Sequence, residues 1–221
     1  MDIYKAMEER HSVRNYTDRR IEGDLLTEIQ AEIKMCNDES GLNIQLITDE
    51  PIAFGGLMAR FGKFSGVNNY IALIGEKSTD LDEKLGYYGQ RIVLKATMLG
   101  LNTCWVALTY SKGKNKSDID HGEKLICVIS IGYGETHGVP HKNKPIEALY
   151  KVEGEMSGWF RSGMEAAMLA PTAMNQQKFL FTLSGNTVKA QATGGFYSKV
   201  DLGIAKYHFE IGAGRDDFQW A

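Results

Sequence analysis

The chain has 221 residues, 43% of them hydrophobic, with a formal net charge of -3 and a pI near 6.0. Such a chain buries a sizeable core without staples, and its mild acidity excludes an overall attraction to nucleic acid or acidic membranes while leaving room for a local basic patch. Cys36, Cys104 and Cys127 are odd in number and far apart, so neither a disulfide framework nor a CxxC motif is indicated and a reducing cytoplasm is the expected setting.

The N-terminus, MDIYKAMEER, is amphipathic rather than apolar, and no stretch approaches the roughly 18 apolar residues of a membrane span, so the chain is expected to be soluble and not exported. Ile3, Ala6 and Met7, then Leu26, Ile29 and Ile33, fall at helical spacing and predict two helices around RHSVRNYTDRR. NIQLIT (43–48) and YIALIG (70–75) predict strands, separated by a Gly-punctuated loop. Leu81, Leu85, Tyr88, Ile92, Ala96 and Leu99 mark a long central helix that stops at Gly100. GLNTCWVALTY then predicts an apolar strand or loop, and KLICVISIGYG a strand covered on both faces.

A third section predicts a helix from about Met156, closed by Pro171, then the strands KFLFTL and TVKAQAT and a last helix in VDLGIAKYHFEIGAG. Helices alternating with strands in unequal portions predict an α+β fold with a central mixed or antiparallel sheet flanked by helices. The order helix, polar break, strand occurs at 24–48 and again at 159–183. A single domain over 1–221 is expected, built from halves 1–150 and 151–221 related by a pseudo-twofold axis.

Chemistry concentrates at two places. RHSVR sets three potential cations and a hydroxyl at a helix end; arginine forks and a serine hydroxyl match phosphate oxygens, although a solvated turn fits the composition too. PTAMNQQ (171–177) offers a hydroxyl and three amides, groups that suit a heterocycle with alternating C=O and N–H edges. By itself that segment is equally a helix C-terminal turn. His137 and His141 lack partners at ligand spacing, and no GxSxG elbow, phosphate loop or dinucleotide fingerprint occurs.

Taken together, the segments resemble the nitroreductase family of FMN enzymes. AMEERHSVRNY is similar to that family's N-terminal signature, LGYYGQRIVLKATMLGLNTCWVAL to its central helix and the backbone after it, and CVISIGYGETHGVPHKNKPIEALYKV to its late strand and basic linker. LAPTAMNQQKFLF resembles a motif that ordinary members carry soon after the first signature; here that slot holds KMCNDESGLNIQLI. The resemblance therefore implies a single-chain branch, in which one polypeptide rebuilds internally what ordinary members form from two subunits, with one FMN per chain.

Residue by residue, the resemblance implies that Arg10, His11 and Ser12 hold the phosphate and that Arg14 reaches the flavin O2 and N1 edge. Lys63 is a second cation near that edge. The backbone of Ala107 and Leu108 faces N5, and Lys142 approaches the phosphate beside Asn143, where an arginine is usual. Pro171, Thr172, Ala173, Asn175 and Gln177 line the ring and ribityl chain. Hydride from NADH or NADPH would pass through FMN to a nitroaromatic, quinone or similar planar acceptor, and no catalytic acid or base is expected. Other flavin reactions on the same fold (dehydrogenation, dehalogenation, flavin degradation), a flavin storage or sensor protein without turnover, and a relic that binds nothing stay open. So does the choice between monomer and homodimer. No metal is expected.

Overall fold

The computed structural model describes residues 1–221. The chain divides into two compact units: residues 1–81 with 92–140, and residues 82–91 with 141–221. Each unit has its own four-stranded sheet.

In the first unit, α1 (Ile3–Glu9) starts at Asp2, whose carboxylate accepts from Lys5 N at 2.8 Å, satisfying one of the orphan donors of a first turn. α2 (Gly23–Ser40) ends at Gly41 in the left-handed conformation, φ 72°. The strands β1 (Gln45–Ile47), β2 (Tyr70–Glu76), β4 (Glu123–Gly132) and β3 (Asn102–Val106) lie in that order, all antiparallel. β4 is buried from Ile126 through Gly132, and β2 from Tyr70 through Gly75, which explains why both read as unbroken apolar runs. Between β1 and β2, within the stretch expected to be loop, a short helix α3 (Leu57–Phe61) forms. Gly55, Gly56 and Gly62 around it hide its signal.

α4 (Leu81–Met98) contributes residues to both units. In the second unit, β5 (Tyr150–Glu153), β6 (Phe179–Ser184), β7 (Thr187–Ala192) and β8 (Gln219–Trp220) form a mixed sheet, with β5 parallel to β6 and β7 parallel to β8. α5 (Gly158–Ala167) packs on α6 (Ser198–Ala213). Phe209 is the hub of this core: its ring centroid lies 4.9 Å from Phe181, 5.5 Å from Phe160 and 5.2 Å from Phe218. The fully buried His208 is satisfied on both nitrogens, by Gln90 at 2.8 Å and by the Ala166 carbonyl at 3.1 Å.

The α+β class, with antiparallel and mixed pairing, agrees with the expectation from pattern. β5 and β8 went unseen because strands of four and two residues show no periodicity. No helix is long and apolar enough to cross a membrane.

Candidate functional site

The segment after α1 owes its shape to backbone pairing on three sides. Val13 N donates to Thr103 O of β3 at 3.0 Å, Tyr16 N to Ser65 O at 3.0 Å, and Thr17 N to Tyr133 O at 2.8 Å. Tyr16 is buried; its hydroxyl donates to Val13 O at 2.8 Å and sits 2.9 Å from Ser130 Oγ. Gly138 closes the third side at φ +72°, where an added Cβ would stand 2.7 Å from His11 Cβ. GYGETHG, which lacks the spacing of a phosphate loop, is therefore a close-fitting backing for RHSVR.

This pairing sorts the cations. Arg10 is buried at 6% exposure and its Nε has no hydrogen-bond partner. Burial lowers its pKa from 12.5 to about 10, so it remains charged at neutral pH. Arg14 is exposed, its guanidinium carbon 5.9 Å from the centroid of Phe64. Ser12 and His11 are half-buried between them.

Beneath them lies Cys104 of β3, whose thiol pKa is raised by burial against the downward pulls of Arg14, Ser12 and Arg10. A neutral thiol leaves both guanidiniums uncompensated, so the segment keeps a positive potential suited to an anion. Ala107 and Leu108 follow the end of β3, with Leu108 52% exposed. Lys63 is exposed and takes φ +59°, at the turn that leaves α3.

The other predicted residues lie in the second unit, where they form one braced loop. Met174, Asn175 and Gln177 take φ of 53°, 54° and 44°, a conformation that non-glycine residues keep only when their surroundings over-determine it. The braces are visible. Asp201 of α6 accepts from Ala173 N at 2.8 Å and from Gln176 Nε2 at 2.7 Å. The Gln177 side-chain amide donates from Nε2 to Lys142 O at 2.9 Å and to Asn175 Oδ1 at 2.8 Å, while its Oε1 accepts from Lys144 N at 2.9 Å. Asn175 Nδ2 donates to Lys142 O at 2.7 Å, and Thr172 Oγ1 accepts from Gln177 N at 3.0 Å.

The amides of Asn175 and Gln177 thus shape the loop and tie the basic linker at Lys142 to it. Pro171, Thr172 and Ala173 stay half-exposed beside them, and the Lys142 side chain is exposed. Asp201 had no sequence signal, because it stands on a separate helix 28 residues after Ala173. Its carboxyl pKa is raised to about 6 by burial, only partly offset by the bonds from Gln176 and Ala173.

Elsewhere in this unit a cleft of about 310 Å³ is lined by Tyr87, Glu210, Arg215, Phe218 and Trp220. Its polar groups satisfy one another: Trp220 Nε1 donates to Glu210 at 2.8 Å and Arg215 to the Tyr87 hydroxyl at 2.7 Å.

A family model described as "Putative TM nitroreductase" matches residues 2–213. Two solved proteins named as putative nitroreductases share the fold. The one from Thermotoga maritima is 24% identical, covers 98% of this chain and 85% of its own, and has a TM-score of 0.65. The one from Desulfovibrio desulfuricans, solved in complex with FMN, is 18% identical over 67% of this chain and 95% of its own, with a TM-score of 0.53. A nitroreductase family protein of Streptococcus pneumoniae is 14% identical over 66% of this chain and 98% of its own, TM-score 0.53. No curated protein matches. With a family match that runs from the residue before α1 to the end of α6, this chain belongs to the nitroreductase family.

Proposed function

We propose that the chain binds one FMN and acts as a flavin-dependent oxidoreductase, taking hydride from NADH or NADPH and passing electrons to a nitroaromatic, quinone or similar planar acceptor. The observation that carries the reading is Arg10, a charged, buried guanidinium with an unpartnered Nε, set in backbone-paired chain beside Ser12 and Arg14. An orphaned buried donor calls for an acceptor, and a phosphate oxygen meets guanidinium geometry with a strong, charge-assisted bond. Family membership and the FMN complex of the Desulfovibrio relative support the same cofactor.

In this reading Arg10, His11 and Ser12 hold the phosphate. Arg14, with Lys63 as a second cation, stabilises negative charge on the pyrimidine edge, and the backbone at Ala107 and Leu108 meets N5. Pro171, Thr172, Ala173, Asn175 and Gln177 form the loop that the resemblance assigns to ring and ribityl chain, and Lys142 is a further cation for phosphate. FMN supplies the hydride chemistry when bound; the protein's part is position and electrostatics. The burial of all three cysteines fits a reducing cytoplasm.

The purified protein is expected to be yellow, or to become so with added FMN, and to bleach in a stopped-flow instrument on mixing with NADH or NADPH. Protein that stays colourless after FMN is added and the excess removed would refute the cofactor. A yellow protein that does not bleach over minutes would instead leave a flavin storage or sensor module.

A further inference from the structure

One face of the first unit is both apolar and cationic. Five of the chain's twelve exposed large apolar side chains, Ile52, Leu57, Met58, Phe61 and Leu108, fall on α3, the turn before it and the end of β3. Phe61 is 74% exposed and Leu57 68%.

These side chains are not on a loose loop. Below them Phe54 stacks among Phe64, Tyr70 and Tyr110, at centroid distances of 5.3 to 6.0 Å. The buried Glu50 carboxylate accepts from Ile52 N at 3.0 Å and Ala53 N at 3.1 Å. Ser111 N donates to Ala53 O at 2.8 Å, and a Cβ on Gly62 would stand 2.7 Å from the Thr109 side chain. α3 is thus pressed onto residues 109–111, next to Leu108. A firmly anchored platform that still presents large apolar side chains to water marks a binding surface.

Its charge says what binds. Residues 51–66 and 107–117 carry Arg60, Lys63, Lys112, Lys114 and Lys116 and no carboxylate, in a chain whose net charge is -3. All five are exposed. Of the carboxylates that border these stretches, Glu50 is spent on the backbone and Asp49 pairs with Arg20, while Asp118 and Asp120 lie past Lys116 and away in sequence from Arg60 and Lys112.

We propose that this face is the acceptor side of the flavin site and selects a planar, apolar molecule that carries a negative charge, an aromatic or quinoid carboxylate or sulfonate. The proposal rests on the FMN reading for the position of Leu108 near N5; the charge preference rests on α3 and its cations alone. Ring area lies on Leu57, Met58, Phe61 and Leu108, while the anionic substituent meets Arg60 or Lys112.

The test compares p-nitrobenzoate with its neutral analogue p-nitrobenzamide, by calorimetric binding to the protein as purified and by KM in turnover. Wild type is expected to favour the carboxylate. Arg60→Ala and Lys112→Ala should each weaken the carboxylate up to about fivefold, the upper range for an exposed ion pair, and leave the amide unchanged. Phe61→Ser should weaken both compounds by up to about tenfold, through lost apolar contact. FMN affinity should stay at the wild-type value in every variant, and the substituted side chains are exposed, so folding is not at risk.

Equal binding of the two compounds, or a carboxylate preference that survives both cation variants, overturns the proposal. So does sedimentation showing a dimer that Phe61→Ser dissociates, or co-pelleting with phosphatidylserine vesicles that Phe61→Ser abolishes, because the face then belongs to a second copy or to a lipid surface. A protein that binds no FMN refutes the earlier reading, whereas one that binds FMN without the carboxylate preference refutes this proposal alone.

Discussion

Asp201 gives a prediction with a definite sign. The residue is 2% exposed, and burial, countered by two hydrogen bonds, raises its carboxyl pKa from 3.8 to about 6. The folded chain therefore holds this proton more tightly than the unfolded chain. Protonation stabilises the fold fully below the unfolded value, and that gain disappears as pH rises through the folded value. A shift of this size corresponds to about 3 kcal/mol, of which roughly 2 kcal/mol falls between pH 4 and pH 7. Asp201→Asn removes the titration but not the side-chain volume. Placing an amide opposite Gln176 Nε2 adds a cost of its own, but that cost does not vary with pH.

The assay is urea unfolding of both proteins from pH 4 to pH 8. Wild type minus variant stability should fall by roughly 2 kcal/mol between pH 4 and pH 7 and stay level above that. A difference that is flat, or that rises with pH, would refute the account of Asp201 as a buried carboxylate only partly compensated by Ala173 and Gln176.

Arg10→Met should separate stability from function. Removing the buried guanidinium is expected to stabilise the FMN-free protein by about 1–3 kcal/mol in thermal or urea unfolding, while FMN affinity in a fluorescence titration falls more than about tenfold. Gly203→Ala should destabilise by about 3 kcal/mol or more, because the new Cβ would lie 1.9 Å from Glu83 O and 2.7 Å from Tyr87 N, both backbone atoms of α4. Gly158→Ala, which meets nothing within 4 Å, is the control, and its melting temperature should match or slightly exceed that of wild type.

Much of this protein is legible along the chain. The apolar spacing of α4, the continuous β2 and β4, and the RHSVR and PTAMNQQ segments all announce themselves, because amphipathic periodicity and short polar motifs are local properties. The family followed from those segments. What each side chain does within them was decided by partners distant in sequence. RHSVR reads as three similar cations, yet pairing with Thr103, Ser65 and Tyr133 leaves Arg10 buried with an orphaned donor and Arg14 exposed. PTAMNQQ reads as amides free to grip a heterocycle; in the fold Gln177 is spent on Lys142, Lys144 and Asn175, and the loop's strained backbone is held from α6 by Asp201.

α3 shows the same limit from the opposite side. Its glycines read as loop, and only packing onto Phe54 and Ser111 makes it a fixed platform with its apolar side chains turned outward. Local sequence determined which elements form and which chemical groups they carry. Burial and hydrogen bonding depend on long-range contacts that no local pattern encodes, so only the tertiary structure decided which of those groups are left to meet a ligand.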